Sequence, residues 1–147
     1  MFVDRVLSIA RRRLVTINAS ALLTDAACLL GNSDVNLVIV CDSDGAMMGV
    51  ITKTDVVRQI GHCQGRACTS TAAKVMTRDV TKCRPGDSLH DVWSLMNERG
   101  IQCVPITGAD SIPCGVLNAR DALQALLTEV EDEEVLLRDY VMGIGYR

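Results

Sequence analysis

The chain repeats itself once, and that repeat limits the folds open to it. Displacing the sequence by 66 residues sets Gly49-Val50-Ile51-Thr52-Lys53-Thr54-Asp55 on Gly115-Val116-Leu117-Asn118-Ala119-Arg120-Asp121 without a gap. The same shift pairs Leu23 with Leu89, Asp25 with Asp91, Leu29 with Leu95, Val38 with Val104, Asp44 with Asp110 and Arg12 with Arg78. Solenoid repeats are shorter, about 20–50 residues, so two copies of this unit point to one domain built of two related halves. Such a pair carries a pseudo-two-fold axis, and the clefts between its halves come in pairs.

A chain of 147 residues is long enough for one full core. Apolar residues make up 48% of it and aromatics 3%, so that core is aliphatic. The net charge of −3 offers no general attraction to nucleic acid or to anionic membranes. Arg11-Arg12-Arg13 and the acidic run at residues 129–134 read as solvated helix faces or ends. Seven cysteines are an odd number, and several lie inside apolar runs, as free buried thiols do. Asp4 stands where a secretory leader would be basic, and the apolar run at residues 37–41 is far too short to cross a bilayer. These features lead to the expectation of a soluble protein in a reducing cytoplasm, with no nucleic-acid or membrane partner.

The fold class expected is α/β (α+β), with each half reading β-α-β-β-α. In the first half, residues 14–17 form a strand and residues 22–30 carry an apolar stripe at helical spacing. Residues 37–41 are a strand buried on both faces, residues 42–45 a turn and residues 47–51 the returning strand. Thr52 or Thr54 caps a helix that Gly61 ends. In the second half the strands fall at residues 80–83, 103–106 and 114–117, and the helices at residues 89–99 and 119–129. Ser88 or Asp87 caps the former helix and Gly100 closes it. Pro105 has no N–H for a ladder, so its amide position must face an edge, a bulge or a cleft. Val3, Val6, Leu7 and Ala10 give residues 2–10 one apolar helical face, which packs against the second half. The chain divides into a first repeat with its N-terminal helix (1–62), a linker (63–74), a second repeat (75–130) and a C-terminal helix and tail (131–147).

This order of elements, ending twice in Gly-apolar-apolar-polar-x-x-Asp, resembles the cystathionine-β-synthase (CBS) domain. The residues that carry the resemblance are Gly49 to Asp55, Gly115 to Asp121, the lead-in Val75-Met76-Thr77-Arg78-Asp79-Val80 and the strand Cys103-Val104-Pro105-Ile106. It covers nearly the whole chain and is similar to small stand-alone bacterial proteins made of one CBS pair. It implies two repeats packed sheet to sheet, a disc-shaped homodimer of such modules, and clefts that bind an adenosine-containing ligand.

The motif suits such a ligand physically. A glycine in the strand admits another backbone or a ligand. A hydroxyl at the strand–helix junction caps the helix or meets a phosphate at its positive end. An aspartate three residues later lies on the same face, and its carboxylate accepts two hydrogen bonds, as vicinal ribose hydroxyls would offer. The candidates for sugar and phosphate are therefore Thr52, Lys53 and Asp55 in the first half and Asn118, Arg120 and Asp121 in the second. Arg12, Arg13 and Arg78 precede the first strands of the two halves and are placed to point into the clefts. An apolar slot for the base comes from Asn36, Leu37 and Val38 and from Gln102, Cys103, Val104 and Pro105. Backbone groups near Thr16, Ile17 and Asn18, or near Thr81, Lys82 and Cys83, would read the base edge. Asn118 stands where the family pattern has Ser or Thr; it can still cap.

No catalytic chemistry assembles from spacing. His62, Cys63 and Cys68 lack the doubled cysteine pairs of a structural zinc site, and Gly143-x-Gly145 has no strand before it or helix after it. No Ser or Cys nucleophile comes with a base and an orienting group. The expectation is a regulatory module without enzymatic activity, catalytic cofactor or metal. It binds AMP, ADP, ATP or a related molecule between its repeats and signals through a homodimer to an effector protein. The alternative is a dimerisation scaffold whose clefts no longer bind.

Overall fold

The computed structural model describes residues 1–63 and 70–141. Cys68 and Gly143-x-Gly145 fall outside them. A 3-10 turn at Val3–Val6 runs into α1 (Leu7–Arg12). The first half follows as β1 (Thr16–Asn18), α2 (Leu23–Leu30), β2 (Leu37–Cys41), β3 (Met47–Thr52) and α3 (Lys53–Cys63). A short α4 (Ala72–Val75) leads to α5 (Leu89–Arg99), β4 (Cys103–Thr107), β5 (Pro113–Asn118) and α6 (Ala119–Val141).

β1 pairs parallel with β2, and β2 antiparallel with β3, to form a three-stranded sheet; β4 and β5 form an antiparallel pair. Every residue of β2 is buried, as its unbroken apolar run requires. The expected strand at residues 80–83 is reduced to one parallel bridge between Cys83 and Ile106. Pro105 explains this. In the first half the Ile39 N–H donates to the Val15 carbonyl at 2.9 Å. The residues 66 positions later are Pro105 and Thr81, and proline has no N–H to give.

Alternation along the strands divides the core into three. Val38, Val40 and Ile51 face α2 and α4 in the first half; Val104, Ile106 and Leu117 face the N-terminal helix, α5 and α6 in the second. Between the sheets lies a third cluster that contains Leu37 with Cys103, Val50 with Val116, and Leu14 with Val80. Each of these pairs is 66 residues apart, so the pseudo-two-fold axis runs through this layer.

The motif glycines set how the lead-in helices dock. A Cβ on Gly115 would lie 2.9 Å from the carbonyl carbon and the Cβ of Ala10, so only glycine lets α1 sit on β5. A Cβ on Gly49 would lie 2.6 Å from the carbonyl oxygen of Thr77. There the Val50 N–H donates to Thr77 O at 3.0 Å and the Thr77 N–H to Val50 O at 2.8 Å. Each lead-in helix thus packs on the hairpin of the other half.

Two helix ends differ from expectation. α3 passes through Gly61 to Cys63, because Gly61 is an exposed helical position with nothing within 4 Å of a would-be Cβ. α6 does not stop near residue 129 but runs to Val141, through the acidic stretch. Leu, Glu and Arg are good helix formers, and a Glu134–Arg138 pair at 3.9 Å spans one of its last turns. Gly100 closes α5 as expected, in the left-handed region at φ 67°, and the Ser88 hydroxyl caps it by accepting from the Asp91 N–H at 3.4 Å. Among the described residues no helix is long and apolar enough to cross a membrane.

Candidate functional site

The seating of α1 on Gly115 places Arg13, its C-cap residue, beside the start of α6. There the Arg13 guanidinium grips Asp121 with two hydrogen bonds, Nε to Oδ2 at 2.6 Å and Nη2 to Oδ1 at 3.2 Å. The hydrogen bond to Asp121 is the main cause that raises the Arg13 pKa above its ordinary value. A hollow of about 500 Å³ opens against this pair. Arg13, Ser33, Asp34 and Asn36 line it from the first half; Gln102, Asn118, Ala119 and Arg120 line it from the second. A separate recess of only about 10 Å³ beside it reaches Leu37, Cys103 and Val116. An adjoining hollow of about 380 Å³ adds Arg12, Val15 and Val35 and shares Arg13 and Asp34.

The N-terminus of α6 faces this space. Asn118 caps it, its Oδ1 accepting from the Arg120 N–H at 2.9 Å, while its Nδ2 lies 3.7 Å from the Cys103 sulfur. The Ala119 N–H donates to the Gln102 carbonyl at 2.8 Å, which ties the helix start to the loop before β4. Burial pushes the Cys103 thiol up, against the opposing pull of Arg13, so it stays neutral beside this space. Two guanidiniums and a helix N-terminus face this hollow together with Asp34, and one of the guanidiniums, Arg13, is already paired with Asp121.

The first motif is arranged differently. Thr52 and Asp55 form a reciprocal cap: the Thr52 N–H donates to Asp55 Oδ2 at 2.9 Å, the Thr52 hydroxyl to the same oxygen at 3.1 Å, and the Asp55 N–H to Thr52 Oγ1 at 3.4 Å. The Thr77 hydroxyl, brought in by Gly49, donates to Asp55 Oδ1 at 3.1 Å, and Arg58 lies 3.6 Å from that oxygen. Asp55 is only 8% exposed. Both motif carboxylates therefore hold partners within the chain.

Of the residues read from the sequence, Asn36, Leu37, Gln102, Cys103, Asn118 and Arg120 come together around one space, with Asp121 behind Arg13. Thr52 and Asp55 join at the head of α3, where Lys53 is exposed. Val38, Val104 and Pro105 are fully buried, the two valines turned toward the helices. Ile17 packs on the first-half core, Thr16 is exposed, and Asn18 turns back to accept from the Ser20 N–H at 2.9 Å and hydroxyl at 2.8 Å. Arg78 and Lys82 are exposed, and the Thr81 hydroxyl accepts from Arg99 at 3.1 Å. Cys83 is buried in the second-half core, where desolvation pushes its thiol up to about 12. Ser33 and Asp34 were absent from the sequence-derived candidates; their nearness to Asn36 in the chain was the available signal.

Comparison with known proteins agrees with this architecture. The CBS domain model matches residues 6–62 and again residues 72–128. A 17.7 kDa protein of Acidianus ambivalens, described as uncharacterized, is 25% identical over 123 residues, 84% of this chain and 73% of its own length. The inosine-5'-monophosphate dehydrogenase of Nitrosopumilus maritimus is 24% identical over 72% of this chain, which spans only 21% of that enzyme. Among solved structures, CBSX2 in complex with AMP superposes with a TM-score of 0.74 at 22% identity, covering 86% of this chain and 96% of that one. The CBS domain pair of protein MJ0100, in complex with 5'-methylthioadenosine and S-adenosyl-L-methionine, superposes with a TM-score of 0.71 at 19% identity, covering 88% and 98%. With two matched repeats over most of its length and a pseudo-two-fold axis between them, the chain belongs to the CBS domain family.

Proposed function

We propose that the chain is a regulatory module that binds an adenosine nucleotide in the hollow between its halves and performs no chemistry on it. One observation carries the reading: residues of both halves converge on a space of about 500 Å³ that holds Arg13, Arg120, Asn118 and the start of α6. A phosphate suits the guanidiniums and the helix N-terminus. The amides of Asn36 and Gln102 suit the polar edge of a purine. The adenosine ligands of CBSX2 and of the MJ0100 pair support the same choice. A ligand that touches both halves binds one arrangement of them better than another and so shifts their populations.

Signalling passes through a homodimer to an effector protein. Val57 on α3 and Leu123 on α6 stand 66 residues apart, and both are exposed, at 69% and 39%. Symmetry-related apolar side chains on the two helices suit an isologous contact. Sedimentation of the wild type should give a dimer, and Val57→Asp with Leu123→Asp a monomer; a monomeric wild type removes this part of the reading.

The deciding experiment is thermal unfolding with AMP, ADP, ATP, NAD and S-adenosylmethionine. Ligand at about 100 times its dissociation constant adds roughly 2.7 kcal/mol, a rise of several degrees for a chain of this size. At least one adenosine ligand should raise the melting temperature, and less so in Arg120→Ala. A flat response to all five favours a second reading, a dimerisation scaffold. That reading draws on one feature, the engagement of both motif carboxylates within the chain.

A further inference from the structure

The two halves do not hold their motif aspartates in the same way, and the difference bears on what the hollow selects. Asp55 is held by hydroxyls, from Thr52 and Thr77. By the offset of 66 residues, Asn118 is the counterpart of Thr52 and Arg11 that of Thr77. Asp121 thus has neither hydroxyl, and Arg13 takes it instead. The counterpart of Arg13 in the other cleft is Asp79, and Arg58 only approaches Asp55 at 3.6 Å, so among the described residues Asp121 alone is gripped by two guanidinium hydrogen bonds.

Resting on the nucleotide reading above, we infer that Asp121 does not touch the sugar in this chain but positions Arg13, and that Arg13 binds the ligand's phosphate. Arg13 lines the hollow while Asp121 is absent from its lining. The side chain of Arg13 is 33% exposed and that of Asp121 15%, so the arginine stands in front and the carboxylate behind. A guanidinium has five N–H donors. Asp121 accepts two of them, which leaves three for an oxyanion. The two-pronged grip fixes the plane of the guanidinium before ligand arrives, which reduces the ordering needed on binding. Arg120 lies across the same hollow and Arg12 in the adjoining one. Asp34 in the lining and Asp121 behind it offset Arg13 and Arg120, so the positive excess comes from Arg12. The balance favours a phosphate-bearing nucleotide over the cationic sulfonium of S-adenosylmethionine.

Calorimetric titration tests this with AMP, ATP, adenosine, 2'-deoxy-AMP and S-adenosylmethionine as probes. The variants are Arg13→Gln, Asp121→Asn and the two combined, each first checked for folding by its melting curve. The wild type should bind AMP or ATP at least about ten-fold more tightly than adenosine, the worth of one charge-assisted hydrogen bond. S-adenosylmethionine should bind more weakly than AMP. Arg13→Gln should bring the nucleotide-to-nucleoside ratio close to one. Asp121→Asn should lower the same ratio, and the double variant should lose no more than Arg13→Gln. A role confined to packing α1 on α6 would weaken all probes equally and leave the ratio unchanged. A ratio that survives Arg13→Gln overturns the inference, as does an Asp121→Asn variant that loses only its preference for AMP over 2'-deoxy-AMP. Either result leaves the nucleotide reading standing. Failure of the wild type to bind any adenosine probe at millimolar concentration removes both. If Asp121→Asn fails to fold, Arg13→Gln and Arg13→Lys carry the test, with Lys retaining part of the ratio.

Discussion

Gly49→Ala is the sharpest test of how the halves are joined. The new Cβ would stand 2.6 Å from Thr77 O, 3.0 Å from Met76 Sδ and 3.1 Å from Met76 Cγ. A comfortable carbon–oxygen contact is about 3.3 Å, so the backbone at Met76 and Thr77 must withdraw by about 0.7 Å. The methionine side chain can turn away, but the carbonyl cannot. It accepts the Val50 N–H at 3.0 Å, and the returning Thr77 N–H bond is 2.8 Å, so withdrawal strains both. Overpacking of this kind costs about 1–3 kcal/mol, and loss of one of the paired hydrogen bonds adds about 1 kcal/mol. A destabilisation of about 2–4 kcal/mol follows, or a fall of about 6–12 °C in melting temperature for a domain of this size. Urea denaturation followed by circular dichroism measures the free energy, and a thermal melt checks it. An alanine variant within about 0.5 kcal/mol of wild type, the usual range of surface changes, would show that the close approach at Gly49 is not what seats the second half's lead-in.

The same substitution at Gly61 should act in the opposite direction, stabilising by about 0.5–1 kcal/mol, because an alanine suits an open, exposed helical site better than glycine; a destabilised variant contradicts the helix drawn through it. Asp55→Ala leaves the Thr52 N–H and the Thr77 hydroxyl without their acceptor and should cost about 2–4 kcal/mol by urea denaturation. Asp121→Ala should cost about 1 kcal/mol, since its ion pair is part-exposed and screened; equal losses at the two sites would refute the distinction between them. The Cys83 thiol, raised to about 12 in the fold and near 9 when unfolded, stays protonated longer in the native state. Its stabilising effect is full below pH 9 and is lost as pH rises toward 12. Between those limits stability should fall by about 1.4 kcal/mol per pH unit more in wild type than in Cys83→Ala, and parallel pH curves for the two proteins would refute the assignment.

The architecture was legible because a repeat carries its own three-dimensional check. Leu14 with Val80, Leu37 with Cys103 and Val50 with Val116 align by offset alone, and all six meet in the layer between the sheets. What escaped were features for which the local sequence signal points more than one way. Gly61 stands in a sequence context that ends many helices, yet no neighbour crowds α3 there and nothing forces the chain to turn. The acidic run after residue 129 resembles a boundary, yet a helix exposed to water on nearly all sides needs only helix-forming residues to continue. Pro105 announced a ladder defect, but its consequence, a strand shortened to one bridge at Cys83, depended on which neighbour lost its donor.

The site followed the same division. Positions fixed by strand register, such as Asn36, Gln102, Cys103 and Asn118, could be placed at a cleft by the repeat alone. Arg13 could be placed there only by its position before the first strand, since symmetry sets it against Asp79 and favours its neighbour Arg12, which matches Arg78. The departures from symmetry belong together. Exchange of Thr for Asn at position 118 removes the hydroxyl that holds the aspartate in the first half, and exchange of Asp for Arg at position 13 supplies a new partner for it. The hydroxyls on Asp55 have no further protons to give, whereas the Arg13 that holds Asp121 retains three N–H donors at the edge of an open space. On the proposed reading, these paired departures from the shared pattern, one in each half, are what leave donors facing an open space.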